Sequence, residues 1–147
     1  MRDRLVRKIL KGHVEKYAAD FVGRVFWPPP SVTVLTFGEH EDVLALDRGD
    51  HYALPGGIID DGEDVKQAAR REVKEETGFE VRITELLDIR SSSSTPGIHI
   101  FFEAEIVNGD PSGSWEGQPE FIPVEEIEDK VWKLEHSHIH KYLLPDK

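Results

Sequence analysis

The stretch from Asp64 to Gly78 constrains the fold most, because it encodes a helix whose inward side carries acids. Asp64 followed by Gln67 is a capping-box pattern, and Gly78 after Thr77 supplies the left-handed residue that commonly ends a helix. The spacing therefore predicts a helix over Val65 to Thr77. At about 100° per residue, Val65, Ala68, Ala69 and Val73 define the inward side, while Lys66, Gln67, Arg70 and Lys74 occupy the opposite arc. Glu72 and Glu76 project from the same side as Val65 and Ala69, one turn apart, and Glu75 lies at the edge beside Arg71. Two like charges at i and i+4 destabilise an isolated helix by about 0.2–0.5 kcal/mol. Partial burial adds a desolvation penalty of several kcal/mol per ion. A hard divalent cation compensates such a pair, because Mg²⁺ prefers carboxylate oxygens, keeps several waters and bridges readily to substrate phosphates. Arg71, four residues before Glu75, can hold that carboxylate in place. The bland alternative is a solvated acidic face, the usual meaning of a bare ExxEE, and the inward position of two of the acids weighs against it.

The flanking sequence reads as a mixed α/β chain. Arg2 to Phe21 places Val6, Ile9, Leu10, Val14, Tyr17 and Phe21 at helical intervals, predicting an amphipathic extension over residues 1–27. Pro28, Pro29 and Pro30 form a stiff connector, and the main domain is expected over 28–147. Val32–Phe37 and Val43–Leu46, separated by the polar GEHED, read as a hairpin. Pro55-Gly56-Gly57 marks a sharp turn where backbone can approach a ligand. Val81–Ile89 and Ile98–Val107 read as strands joined by the polar run Ser91–Gly97, and a short strand near Glu120–Pro123 precedes a helix over about Glu128–Leu143.

Composition narrows the chemistry. The chain has 147 residues, enough for one ordinary domain, and no cysteine, which excludes disulfides, thiolate nucleophiles and cysteine-ligated metal. The net charge is −11, yet residues 1–11 carry +4, so the remainder carries −15. An acidic body argues against nucleic-acid binding and implies that a phosphorylated ligand arrives with metal ions. It also fits a salty cytoplasm. With no signal-peptide pattern and no apolar run long enough to span a bilayer, a cytoplasmic protein without a membrane partner is expected.

A longer pattern encloses the acidic helix. Gly57 is followed after five residues by Glu63, and after seven more by Arg71-Glu72-Val73-Lys74-Glu75-Glu76-Thr77-Gly78-Phe79. This resembles a complete Nudix box. Seven identities are specified at fixed gaps, a chance match of roughly 5 in 10⁹ at a given start at average residue usage. Looser similarity runs from about Ser31 to Pro145, including Leu54-Pro55-Gly56-Gly57 and Glu120 to Ile127. The resemblance implies a mixed β-sheet sandwiched between α-helices (α/β/α) and an enzyme hydrolysing phosphoanhydrides. It implies Mg²⁺, or Mn²⁺ in its place, held by Glu72 and Glu76, with Glu75 as a further ligand or the partner of Arg71. The carbonyl of Gly57 or Gly56 would complete the shell, and Glu63 would brace the loop.

The resemblance also implies a glutamate acting as proton acceptor. Trp115-Glu116-Gly117-Gln118-Pro119 resembles the loop that supplies an extra glutamate in the nucleoside triphosphate pyrophosphohydrolase branch, which makes Glu116 the first candidate and Glu120 the second; the plain alternative is that both are exposed loop acids. Ser94-Thr95-Pro96-Gly97 resembles the proline marker of ADP-ribose pyrophosphatases. ADP-ribose or a nucleotide sugar is therefore the first substrate expectation, with nucleoside triphosphates the alternative. A non-catalytic nucleotide-sensing module is a third reading, although such domains usually lose box glutamates and none is missing here. A prenyl diphosphate isomerase on the same scaffold needs a cysteine that this chain lacks. Phe101 is expected either to stack on a nucleobase or to pack beneath a terminal helix, and Arg48 either to touch phosphate or to be solvated. His136, His138 and His140 invite a zinc reading but lack an evident further ligand. The apolar stripe of the N-terminal helix is expected on the core or on a second subunit of a homodimer.

Overall fold

A computed structural model describes residues 28–91 and 97–131. The expected N-terminal helix and extension, the Ser94-Thr95-Pro96 marker, the three C-terminal histidines and the end of the last helix lie outside the described residues.

Among the described residues seven strands and two helices follow one another as β1 (Ser31–Phe37), β2 (Asp42–Asp47), β3 (Tyr52–Ala53), β4 (Gly56–Ile58), α1 (Val65–Thr77), β5 (Phe79–Arg90), β6 (His99–Gly109), β7 (Gln118–Pro123) and α2 (Val124–Lys130). The strands form one mixed sheet. Its path is β3-β2-β1-β6-β5, with β4 pairing β1 and β7 pairing β2 off that path. Parallel pairing joins β1 to β6 along its whole length, from Ser31 opposite His99 to Phe37 opposite Glu105. On its other edge, β1 is shared by two partners. Ser31–Thr33 pairs with β4, whereas Phe37 pairs with Val43 of β2.

Alternation along the strands divides the core into two layers. Val32, Val34, Leu44, Phe102 and Ala104 face α1, where they meet Ala68, Ala69 and Val73. Leu35, Val43, Ala45, Leu54 and Ile122 face the other way and pack with Ile127 of α2. A helix on each face of a mixed sheet is the expected three-layer architecture.

Helix α1 has the predicted bounds because its ends are chemically specified. Asp64 accepts from the amides of Lys66 (2.9 Å) and Gln67 (3.3 Å), and the Gln67 side chain accepts from the Asp64 amide at 3.2 Å. At the far end Gly78 adopts φ 80° and its amide bonds Lys74 O.

Three sequence expectations change. The β1–β2 hairpin exists only as a narrow contact at Phe37 and Val43, while on its other edge β2 pairs along its length with β7, from Asp42 opposite Pro123 to Asp47 opposite Gln118. Tyr52–Ala53 and Gly56–Ile58 are short strands; their extended form is imposed by β2 and β1. A short helix over Val124–Lys130, closed by an extended Val131, precedes most of the helix expected over about Glu128–Leu143, whose residues beyond 131 lie outside the described residues. Among the described residues no helix is long and apolar enough to cross a membrane.

Replacing Asp64 by Ala removes the cap acceptor and should cost about 1 kcal/mol, lowering the melting temperature by about 2–4 °C. Thermal unfolding followed by circular dichroism measures this; an unchanged melting temperature would show that the cap is not needed.

Candidate active site

Strand β4 and helix α1 meet edge to side, and their contact places the box acids. The Gly56 amide donates to Glu76 Oε2 at 2.9 Å. Gly57 stands against Glu72 so closely that a Cβ there would lie 2.6 Å from its carboxyl carbon. A side chain at 57 would therefore push the Glu72 carboxylate away from the strand, and glycine lets the two stay close.

Arg71 organises the loop before the helix. Its Nε and one terminal nitrogen donate to the two oxygens of Glu63, at 2.8 and 2.9 Å, a bidentate pair. The other terminal nitrogen donates to Glu72 Oε1 at 2.7 Å and to Glu75 at 3.3 Å, and Arg71 also reaches Ile58 O at 3.0 Å. These bonds span the chain from β4 to the middle of α1, so one guanidinium fixes loop, strand and helix together. The hydrogen bond from Arg71 holds the Glu63 carboxyl below its ordinary range. Glu72 shifts the other way, since burial raises its pKa more than Arg71 lowers it.

Glu76 is the most unusual group. Its residue is 3% exposed, and Gly56 supplies one donor, yet Oε1 is buried with no donor at all. Facing it is the Glu116 carboxylate, also an acceptor, with which it can bond only while one of the two keeps a proton. Burial pushes the Glu76 carboxyl up to about 8, opposed by the Gly56 bond and reinforced by the charges of Glu116 and Glu72.

Glu116 arrives from the turn before β7. Arg48, just after β2, donates to its Oε2 at 3.0 Å, and Ser114 Oγ accepts from its amide at 3.1 Å. Beside this pair lies a cavity of about 350 Å³ lined by Ser31, Thr33, Arg48, His51, Gly56 and Gly57 among others.

The expected residues thus divide. Glu72, Glu76, Glu116, Gly56 and Gly57 come together, with Arg71 and Arg48 holding two of the acids. Glu75 does not join them; its side chain is 60% exposed and touches Arg71, because its position on the helix turns it away from the sheet. Glu120 is also elsewhere, exposed on β7 and accepting from the Tyr52 hydroxyl at 2.9 Å. Phe101 is 8% exposed, which leaves no open face for a base to stack on. Arg48 is neither simply solvated nor a free phosphate ligand but the partner of Glu116. That pair was missed because its residues are 68 apart; the β2–β7 register, with Asp47 opposite Gln118, is the signal that brings them together.

The acids fit a hard divalent cation. The orphaned Glu76 Oε1, flanked by the carboxylates of Glu72 and Glu116, is a concentration of oxygen acceptors short of positive charge. Among the described residues the side chains do not close into a cage of three ligands, since Arg71 and Arg48 each draw one carboxylate oxygen toward themselves. A cation that keeps several waters needs no such cage.

The NUDIX domain family model matches residues 27–146. The chain belongs to the NUDIX domain family. Among its relatives are an ADP-ribose pyrophosphatase of Methanocaldococcus jannaschii, 38% identical over 63 residues that cover 40% of this chain and 37% of that one, and the nucleoside triphosphatase NudI of Escherichia coli, 28% identical over 113 residues, 66% of this chain and 73% of that one. The matches to the first three curated relatives span 37%, 21% and 20% of their lengths. A NUDIX hydrolase of Nitrosomonas europaea shares the fold with a TM-score of 0.71 at 23% identity, over 79% of this chain and 70% of that one.

The raised Glu76 pKa makes metal-free stability depend on pH. A carboxyl that binds its proton more tightly folded than unfolded contributes stability that is full below the unfolded value, near 4.5, and is lost as pH rises through about 8. Cation-free protein should therefore melt lower at pH 8 than at pH 5.5. Glu76→Gln keeps an acceptor for Gly56 and gives Glu116 a donor, so its melting temperature at pH 8 should exceed wild type by about 2–4 °C for each kcal/mol relieved. A fall of several degrees in the variant would make Glu76 a structural acid.

Proposed function

We propose that the protein is a divalent-cation-dependent pyrophosphohydrolase acting on a nucleoside diphosphate linked to a further moiety, with ADP-ribose or a nucleotide sugar as the first substrate class. The observation that carries this reading is the buried, donor-poor Glu76 oxygen set beside Glu72 and Glu116 at the glycine turn. The name of the Methanocaldococcus jannaschii relative supports the substrate class.

Glu72 and Glu76 hold the cation, with a carbonyl of Gly56 or Gly57, and Mg²⁺ is the natural ion, replaceable by Mn²⁺. When bound, such an ion lowers the pKa of water and neutralises charge on phosphate oxygens. Glu116 then has two capacities, as a further ligand and as the acceptor of the proton that the attacking water gives up. Arg48 aims that carboxylate, since its bond to Oε2 restricts the rotamers open to Glu116. Arg71 keeps Glu72 turned toward Gly57 and holds the preceding loop through Glu63. The adjoining cavity, with hydroxyls from Ser31 and Thr33, accommodates the polar body of the substrate.

The specific feature favouring a second reading, nucleoside triphosphate pyrophosphohydrolysis, is the sequence Glu116-Gly117-Gln118-Pro119, whose Glu116 bonds Arg48 beside the acids, together with the similarity to NudI. A panel of ADP-ribose, nucleotide sugars, nucleoside triphosphates and diadenosine polyphosphates, with products identified by mass, separates the two. The expected result is turnover of ADP-ribose or a nucleotide sugar, lost on chelation and restored by Mg²⁺. Preferred release of pyrophosphate from triphosphates would favour the second reading. Cleavage of nothing by folded protein with Mg²⁺ or Mn²⁺ would refute both. Glu116→Gln should reduce kcat by about 10²–10⁴-fold, the range for a removed general base, with the melting temperature maintained; near wild-type kcat would remove Glu116 from the chemistry.

A further inference from the structure

Ser31 lines the cavity beside the acids, and its hydroxyl is bonded to His99 Nδ1 at 2.7 Å. The parallel β1–β6 register sets Ser31 opposite His99, so both side chains leave the same face of the sheet. Thr33, two residues further along β1 and also in the lining, shares that face. The backbone of Ser31 is held on both sides. Its amide donates to Ile98 O at 2.9 Å, and it stands opposite Ile58 of β4. The next residue, Val32, stands opposite Gly57, which abuts Glu72. The hydroxyl is thus carried by fixed backbone one residue from the contact between strand and acid.

The other ring nitrogen, His99 Nε2, is buried and bonds no described group. A neutral imidazole has one N–H, and its position decides what Ser31 can offer. With the proton on Nε2, a donor is buried without an acceptor, and Ser31 spends its own proton on Nδ1. With the proton on Nδ1, the imidazole donates to Ser31 Oγ and the serine proton is left to point elsewhere. A phosphate oxygen accepts hydrogen bonds, so Ser31 can meet one only in the second state, and a bound diphosphate selects that state. Other donors at the cavity are already drawn to the acids, Arg48 to Glu116 and the Gly56 amide to Glu76. We propose that His99 donates from Nδ1 to Ser31 Oγ and thereby directs the Ser31 hydroxyl proton into the cavity, onto a phosphate oxygen of the bound substrate. This rests on the reading of the site as a hydrolase of nucleoside diphosphate derivatives. Ser31 is then a substrate-binding residue, and His99 a positioning residue that acts through it.

The test compares wild type with Ser31→Ala, His99→Phe, which keeps a ring and removes the bond, and His99→Asn, whose amide nitrogen can replace Nδ1 as donor. The probes are ADP and inorganic pyrophosphate, each with Mg²⁺. Calorimetry should give Ser31→Ala a Kd for both raised about 10-fold or more, the effect of removing a hydrogen bond to a charged group. His99→Phe should lose about 3-fold or more, His99→Asn should stay near wild type, and adding His99→Phe to Ser31→Ala should cost nothing further. On a cleaved substrate, KM should rise in Ser31→Ala with kcat within about 2-fold of wild type, because the bond is made equally to ground and transition states. Nitrogen NMR of histidine-labelled wild type with ADP and Mg²⁺, using His99→Asn for assignment, should place the His99 proton on Nδ1. A proton found on Nε2, or equal affinities in wild type and Ser31→Ala, would overturn the proposal. Weakening of ADP but not of pyrophosphate would also overturn it, moving the contact to the sugar. Additive losses in the double variant, or His99→Asn as weak as His99→Phe, would remove His99 from the positioning of Ser31. Turnover with KM unchanged in Ser31→Ala would sink this inference alone. Weakened nucleotide binding in the variants, with no substrate cleaved by wild type, would sink the hydrolase reading alone, and absence of nucleotide binding by wild type would sink both.

Discussion

The bond from the Gly56 amide to Glu76 Oε2 is the contact on which the site depends. It ties the edge of the sheet to the inward side of α1 and leaves the second carboxylate oxygen buried against other acceptors. A buried carboxylate with one neutral donor is unstable as an anion, and the surroundings answer in two ways. Without a cation the group keeps its proton toward neutral pH. With one, the same crowding of oxygens becomes a binding determinant. A helix that only had to cover a sheet would place an aliphatic residue at 76.

Arg71 and Arg48 explain how like charges are held together. Each is anchored elsewhere in the fold, Arg71 through Glu63 and Ile58 O, and Arg48 at the end of β2. Of the three acids at the site, Arg71 grips Glu72 and Arg48 grips Glu116, leaving Glu76 without a cation of its own. The geometry of the acids is thus set by scaffold contacts that exist before any ligand arrives, the condition for a site whose groups need not reorganise during a reaction.

Local chemistry made half of this legible from residues alone. The ends of α1 follow from Asp64, Gln67 and Gly78, each acting within four residues of the backbone it caps, and the inward direction of Glu72 and Glu76 follows from helical period. The pairing of β2 with β7 leaves no local trace, because two short apolar runs name no partner. Strands β3 and β4, of two and three residues, are too short for any alternation to register. The links Arg48–Glu116 and Tyr52–Glu120 both span 68 residues; the first follows from the β2–β7 register and the second from that register together with the β2–β3 pairing, and the burial of Phe101 follows only from packing. The acids of the box were readable because motif and helix coincide; the arginine that holds Glu116 was not, because it lies in a separate loop, just after β2.

Thermal unfolding in cation-free buffer at pH 8, repeated across a titration of Mg²⁺ and of Mn²⁺, examines the cluster without reference to any substrate. A cation that binds only the folded state raises the melting temperature with concentration. Wild type should show this rise, and the Glu72→Gln, Glu76→Gln double variant should lose it while remaining folded. A wild-type melting temperature indifferent to either ion, or an equal rise in the double variant, would mean that these carboxylates do not gather a metal.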